Sequence, residues 1–374
     1  MNELTLHPNV YATGQSKGLV NILERVWVRE HTPGDGTMFV VSGFGNYNGG
    51  VRFFETFRAH KARGGNIVAV FAGSASSRLT SKQVVREMLD CGAYVHVVNR
   101  KRLLHAKCYG AQSSRGDALV VTSGNFTGPG MSQNVEMSVL LDQASTAAMN
   151  FSWGSLVDSM LAQNWALHQP TLADLTAPAW QLLYDEQATD VVLDDTGEVT
   201  MLLRLSHSDT ARIKAARNTT AAKGTQYFWL SKDCYDFFPP LTIRNERGHK
   251  ATYSCLVTMN YIELGRVDNQ CRVTFEAENN LDFRLGTGPL RYSGLADEGD
   301  LAAISRVGEK NYEMRLYPQG SAGYRALMPF AVNFIGHQGK QYGFMPNSEF
   351  NAVAGVRVGV QSRRHLERLT KRCQ

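Results

Sequence analysis

The sequence predicts an α/β domain followed by an all-β domain, and two observations carry that division. Over about the first 170 residues, short apolar runs alternate with segments of helical spacing. From Val199 onward the pattern changes to short strands separated by turns rich in Gly, Pro, Asn and Asp. The 374 residues suffice for two separate cores, and 43% hydrophobic with 20% charged residues is the balance of a globular chain, not a disordered one.

In the first part, Thr37 to Gly43 reads as a buried strand ending in glycine. Val51 to Arg63 has helical spacing of Phe53, Phe54 and Phe57 and stops at Gly64-Gly65. Asn66 to Phe71 is a second buried strand, Ser81 to Cys91 a helix with Val84, Val85, Met88 and Leu89 inward, and Tyr94 to Val98 a third strand. Alternation of this kind predicts a mainly parallel sheet. His105 to Tyr109, Ala118 to Thr122 and Val135 to Leu141 then supply strands close together in sequence. Phe151 to Leu167, with Trp153, Leu156, Met160, Leu161 and Trp165, has the pattern of a closing amphipathic helix.

Residues 171–198 change character. Pro170 and Pro178 interrupt structure, and Asp174, Asp185, Glu186, Asp190, Asp194, Asp195 and Glu198 make the stretch acidic. The plain reading is a solvated linker between domains 1–170 and 199–374; the sharper one is an acidic cover over a basic cleft. The β-rich part follows with strands over Val199–Leu205, Thr225–Leu230, Leu241–Arg244, Ala251–Asn260, Cys271–Glu276, Leu281–Leu285, Tyr312–Leu316 and Ala331–Phe334, the pattern of a barrel or pseudobarrel. A basic arm with Arg357, Arg363, Arg364, Arg368, Lys371 and Arg372 ends the chain.

Chemistry concentrates in Leu104-His105-Ala106-Lys107, then Thr122-Ser123-Gly124-Asn125-Phe126-Thr127, then Asn134-Val135-Glu136. On a strand, residues two apart share a face, so His105 and Lys107 would set a nitrogen nucleophile beside a fixed cation. Asn125 adds an amide and Glu136 a carboxylate able to orient the imidazole. That set suits attack on a phosphodiester, with cation and amide on the non-bridging oxygens. A lone His-x-Lys on a surface is commonplace; the amide and acid behind it give the pair its meaning. His96, on an apolar strand, reads as structural, and Gly45 to Gly50 as a turn near the site, since it lacks the Gly-Lys-Ser/Thr ending of a phosphate loop.

The spacing resembles the phospholipase D superfamily. Many of its members carry an aspartate five residues after the lysine, where this chain has Gln112, a departure that leans toward the nuclease branch. Of the ten histidines only His105 is followed two positions on by lysine, so a single motif copy implies two chains sharing one site about a two-fold axis. Longer runs narrow the resemblance. Leu6-His7-Pro8-Asn9-Val10-Tyr11-Ala12-Thr13-Gly14, Ser42 to Gly50, Asn125 to Gly130, Thr225 to Asp233 and Phe275 to Asn280 are similar to the BfiI-like type IIS restriction endonucleases, over nearly the whole chain up to about Gly359.

That resemblance implies a phospholipase D-like catalytic domain that forms a homodimer, joined to a B3-like DNA-recognition pseudobarrel. It implies phosphohistidine chemistry on double-stranded DNA with no metal or other cofactor, and a cognate DNA methyltransferase in the same host. It also points to Arg212, Trp229, Arg247, Arg272, Asn279 and Lys340 as DNA contacts. From the residues alone, Arg212 and Lys214 sit in a polar loop and Arg244 to Lys250 in a donor-rich turn, either of which could meet phosphate or solvent. Trp229 could equally be core.

The net charge of +5 permits nucleic-acid binding without demonstrating it. The six cysteines have no C-x-x-C or zinc spacing and read as reduced, buried thiols. No leader-like or membrane-length apolar stretch is present, so the expectation is a cytoplasmic protein. The competing readings are a lipid phosphodiesterase using the same chemistry, and a DNA-binding regulator on an inactive scaffold.

Overall fold

The structure is a computed structural model that describes residues 2–7, 10–99, 103–132, 134–163, 165–187, 199–220, 223–231, 234, 237–247, 250–276, 283–335 and 340–355. Of the sequence-level expectations, Asn279, the acidic run after Gln187 and the basic arm lie outside these residues, as does the Arg247 side chain. The chain divides into two compact units, one of residues 1–192, 232–255 and 273–283, the other of 193–231, 256–272 and 284–374.

The first sheet has nine strands: β1 (Glu3–His7), β2 (Tyr11–Ala12), β3 (Thr37–Ser42), β4 (Asn66–Ala72), β5 (Tyr94–Asn99), β6 (Lys107–Ser113), β7 (Gly116–Thr122), β8 (Glu136–Leu141) and β9 (Ala166–His168). Helices α1 (Leu19–Glu24), α2 (Tyr47–Gly50), α3 (Phe54–Ala62), α4 (Lys82–Asp90), α5 (Gly128–Ser132), α6 (Gln143–Ala148), α7 (Trp153–Leu161) and α8 (Pro178–Gln181) connect or cover them. The strand order is β2-β1-β8-β7-β6-β3-β4-β5-β9.

Only β3–β4 and β4–β5 pair in parallel. The other neighbours are antiparallel, so the expected mainly parallel sheet is corrected to a mixed one. The physical reason is connection length. Crossovers through α3 and α4 return the chain parallel, whereas the short turn between β6 and β7 can only fold it back as a hairpin. The expected helix over Phe151–Leu167 is also shorter than its apolar pattern: α7 ends at Leu161 and Ala166–His168 pairs with β5.

Both faces of the middle strands are filled. Phe39 stacks on Trp153 at 4.8 Å, and the Trp153 indole donates to the Ala118 carbonyl. On the other face the Trp27 indole donates to the Gly110 carbonyl and meets Phe53 and Phe57 edge-on. Gly110 is required here: a Cβ on it would lie 2.0 Å from the Ala118 oxygen and 2.9 Å from Trp153. Residues 171–187, read from sequence as part of a solvated linker, pack onto this unit. Trp180, Leu182 and Leu183 are buried, Ser74 donates its N–H to the Leu182 carbonyl, and Lys82 does so to that of Tyr184.

The second set of elements comprises β10 (Val199–Arg204), α9 (His207–Lys214), β11 (Tyr227–Leu230), β12 (Ile243–Arg247), β13 (Lys250–Tyr261), β14 (Arg266–Glu276), β15 (Phe283–Gly286), β16 (Leu301–Arg306), β17 (Asn311–Tyr317), α10 (Ala322–Leu327), β18 (Asn333–Ile335), β19 (Lys340–Pro346) and α11 (Asn347–Val353). The strand order is β11-β15-β14-β13-β17-β16-β10-β19-β18, with β12 on β13. Leu202, Leu301, Ala303, Leu327, Met345 and Phe350 form one core.

Strands β16 and β19 and helix α9 had no place in the sequence reading. Arg212 and Lys214, expected in a loop, lie on α9, which starts at a reciprocal cap between Ser206 and Asp209. Among the described residues no helix is long and apolar enough to cross a membrane.

Candidate active site

The expected placement of His105 on a strand is corrected by the register. Strand β6 begins at Lys107, opposite Ser42, and His105 lies in the segment just before it. Gly43 passes so close to that segment that a Cβ there would meet the Leu104 carbonyl at 2.5 Å, and pairing stops at this crossing. The consequence suits a nucleophile: His105 is exposed while Lys107 is 8% exposed at the strand end.

The two still meet. Lys107 Nζ lies 3.0 Å from both His105 Nδ1 and His105 Nε2 and donates to the His105 carbonyl at 2.9 Å. Being equidistant from both nitrogens, the ammonium lies across the ring instead of in line with one lone pair. The Phe44 ring stands edge-on to the imidazole at 6.2 Å. Burial lowers the Lys107 pKa from its ordinary value, and the Glu136 carboxylate opposes that shift.

Glu136 opens β8 and is 9% exposed. The Ser123 hydroxyl donates to its Oε2 and Asn134 Nδ2 to its Oε1 at 3.1 Å, so both carboxylate oxygens are held. Ser123 is fixed in turn by the Met137 N–H, which donates to its Oγ at 3.0 Å. Asn125 follows Gly124 at the tight turn after β7. A Cβ on Gly124 would lie 2.5 Å from the Gly130 carbonyl and 3.4 Å from Glu136 Cγ, which places the turn against the acid. Asn125 Oδ1 is buried and has no hydrogen-bond partner among the described residues. An unpaired amide of this kind costs free energy until a ligand or water meets it. Thr127 holds only its own turn, accepting from the Gly130 N–H.

Sequence reasoning missed the residues that support this set. Ser42 Oγ accepts from the Phe126 N–H at 2.9 Å and donates to the Phe44 carbonyl at 2.7 Å, tying β3 to the Asn125 turn. Tyr109 Oη donates to the Gly124 carbonyl at 2.9 Å. The Gly45–Gly50 stretch, read as a turn near the site, contains α2; its cap Asn46 accepts from the Gly128 N–H at 2.9 Å and donates its own N–H to the Phe126 carbonyl. His7 pairs with Glu136 across β1 and β8, and its two ring nitrogens lie 2.8 Å from the Lys17 and Ser132 carbonyls. His7, Ser42 and Asn46 stood in runs that carried the resemblance; nothing local marks Tyr109. His96 is buried, as its strand suggested.

A second cluster lies in the other unit. Tyr227 and Trp229, two apart on β11, share a half-buried face. The Arg284 guanidinium from β15 sits 5.3 Å and 5.2 Å from their ring centroids, and that of Arg212 sits 5.8 Å from Tyr227. Arg212 Nε donates to the Lys223 carbonyl at 2.8 Å. Arg217 and Arg291 flank the Tyr292 ring at 5.6 Å and 4.8 Å. Arg272 is exposed on β14.

Lys340 has a different place from the one expected. It is 5% exposed, and its ammonium bonds Asp209 at 2.6 Å and the Trp229 carbonyl at 2.5 Å, an interior tie between β19, α9 and β11 instead of an outward cation. Among the described residues no three His, Cys, Asp or Glu side chains converge as a metal site.

Comparison with known proteins finds a family match in the second half of the chain. Residues 193–357 match the family model of the DNA-binding domain of the metal-independent restriction enzyme BfiI. No curated protein matches the chain. Among solved structures, similarity is found to Nuc, a phospholipase D family member from Salmonella typhimurium, at 15% identity and TM-score 0.32 over 46% of this chain and 98% of that one. NucT from Helicobacter pylori matches at 14% identity and TM-score 0.30 over 43% and 95% of the two chains. A polyphosphate kinase from Porphyromonas gingivalis matches at 12% identity and TM-score 0.32 over 42% of this chain and 26% of that one. Over residues 193–357 the chain is thus similar to a BfiI-type DNA-binding domain.

Proposed function

We propose that the protein is a metal-independent type IIS restriction endonuclease that binds a short asymmetric site and cuts both strands a few base pairs outside it. The observation that carries this reading is an exposed imidazole with a buried ammonium 3.0 Å away and a doubly anchored carboxylate nearby, in one chain with a BfiI-type DNA-binding domain.

In this mechanism the His105 imidazole of one subunit attacks phosphorus, the bond to O3′ breaks, and the partner's His105 protonates the leaving oxygen. The phosphohistidine is then hydrolysed by water that gives its proton to the partner's imidazole, releasing a 5′-phosphate end. Lys107 and Asn125 hold the non-bridging oxygens, and Glu136 orients and charges the nucleophile.

A dimer sharing one site is supported by the single His-x-Lys motif and by an apolar face on the first sheet. Val121 and Met137 are 48% and 49% exposed, and Leu6, opposite Met137, lies beside exposed Tyr11. Recognition is assigned to the arginine and aromatic face of the second unit. Arg212, Trp229 and Arg272 are joined there by Tyr227 and Arg284, and Arg247 and Asn279 remain further proposed contacts. Such an enzyme would act in the cytoplasm, beside a methyltransferase that protects the host site.

The test is incubation with plasmid DNA in excess EDTA, followed by end mapping. Discrete fragments with 5′-phosphates at a fixed offset are expected. Cutting only with Mg²⁺ overturns the mechanism, and specific binding without cutting under either condition favours a regulator.

A further inference from the structure

The first unit also holds a cavity of about 520 Å³, none of whose lining residues belongs to the His105 cluster. One wall is the exposed side of α4, where Lys82 and Arg86 stand one turn apart and so share a face. Neither cation makes an ion pair among the described residues. The two acids of the lining are already engaged. Glu87 accepts from Arg58 at 2.5 Å, and Asp185 accepts from Gln83 Nε2 at 2.5 Å and the Gln187 N–H at 2.9 Å. The lining also has apolar and aromatic groups, Leu175 and Trp180, the indole of the latter anchored on the Thr171 carbonyl.

A further observation points to a ligand. Tyr47 lines the cavity at 3% exposure, yet its hydroxyl has no hydrogen-bond partner among the described residues. An unsatisfied buried hydroxyl costs free energy that a polar ligand atom would relieve. The volume is that of a small-molecule pocket, too confined for a duplex.

We propose that this cavity binds a free mononucleotide, an aromatic base carrying a phosphate monoester. The phosphate would lie on Lys82 and Arg86, and the base against Trp180 and Leu175. Two cations outside any ion pair among the described residues, sharing one cavity with an aromatic side chain, favour such a ligand over a purely apolar or a cationic one.

Isothermal titration calorimetry of the full chain with AMP and dAMP tests this. Saturable one-to-one binding is expected, weakened roughly tenfold by Lys82→Ala or Arg86→Ala, reduced by Tyr47→Phe, and unchanged by His105→Ala. Absence of binding, affinity unmoved by the two α4 substitutions, equal affinity for orthophosphate, or loss of binding in His105→Ala each overturns it. So does competition by a 5′-phosphorylated oligonucleotide alone. Plasmid cleavage by Lys82→Ala and Arg86→Ala, expected at the unsubstituted level, keeps this proposal separate from the nuclease reading.

Discussion

The two polar clusters of this protein are built on opposite plans. Around His105 the supporting groups are hydrogen-bonded in place: Glu136 is held at both oxygens, Ser123 by a backbone N–H, and the Asn125 turn by Ser42 and Tyr109. Around Tyr227 and Trp229 the arginines rest on ring faces, and the rings remain half exposed. Stabilising a transition state needs charges fixed before the reaction, because reorganising them would add to the barrier. Reading a DNA surface needs cations and planar groups that can shift onto phosphates and base edges. The contrast is between a hydrogen-bonded frame and a face of arginines set over half-buried rings.

The comparison breaks most sharply at His105. His105→Ala should lower cleavage on the order of 10⁵-fold or more while sparing site-specific binding, as read by a cleavage time course beside a gel-shift titration. Cleavage retained in this variant would remove the proposed nucleophile. Next comes Lys340, which the structure makes a strut. Removing one partner of its buried pair with Asp209 should destabilise the protein by about 3–5 kcal/mol. A thermal melt that does not move would return Lys340 to the list of DNA contacts.

Glu136→Gln keeps the shape and removes the charge. It should cost roughly 10²-fold in turnover with DNA affinity intact, and an equal loss of affinity would place Glu136 in binding instead. On the arginine face, Arg284→Ala should weaken specific binding by about 1–3 kcal/mol without changing the rate on bound DNA. That split between affinity and rate is the signature of the face.

The smallest effect is on pH. His31 and His60 are buried with their rings 5.0 Å apart, and burial holds both below the ordinary histidine value, with each other's charge a further cause at His31. Unfolding returns them to about 6.5. The unfolded chain therefore binds more protons below that value, and stability present at neutral pH falls as pH drops through about 6.5 toward the lowered folded values. Urea midpoints measured from pH 7.5 to 5 should decline, and His60→Gln should flatten the decline if it folds. His31→Asn is the alternative variant, since His31 Nε2 has no partner to lose among the described residues.

Much of the first unit was legible from local pattern. The strand beginning at Thr37, the helix capped by Ser81 and the strand over Tyr94 stand within a residue or two of their expected bounds, because apolar runs and caps are local signals. The direction of the sheet was not, since it depends on how short turns such as that at Arg115 pair strands across the chain. Nor was the start of β6, set by the approach of Gly43 to Leu104, a contact 61 positions apart in sequence. The residues of the chemical set were legible as types and spacing. Their support from Ser42, Tyr109 and His7 was not, because each acts through a backbone group far away in sequence. Lys340 was misread for the same reason: only the fold brings Asp209 to it.

The most direct test of the account is to trap the covalent intermediate. Duplex DNA labelled at the phosphate of the cut site would be mixed with the protein in EDTA and quenched in alkaline detergent, where phosphohistidine survives. A labelled protein band is expected that is lost on acid treatment and absent in His105→Ala. Cleavage without any adduct, or an equal adduct in His105→Ala, would contradict it.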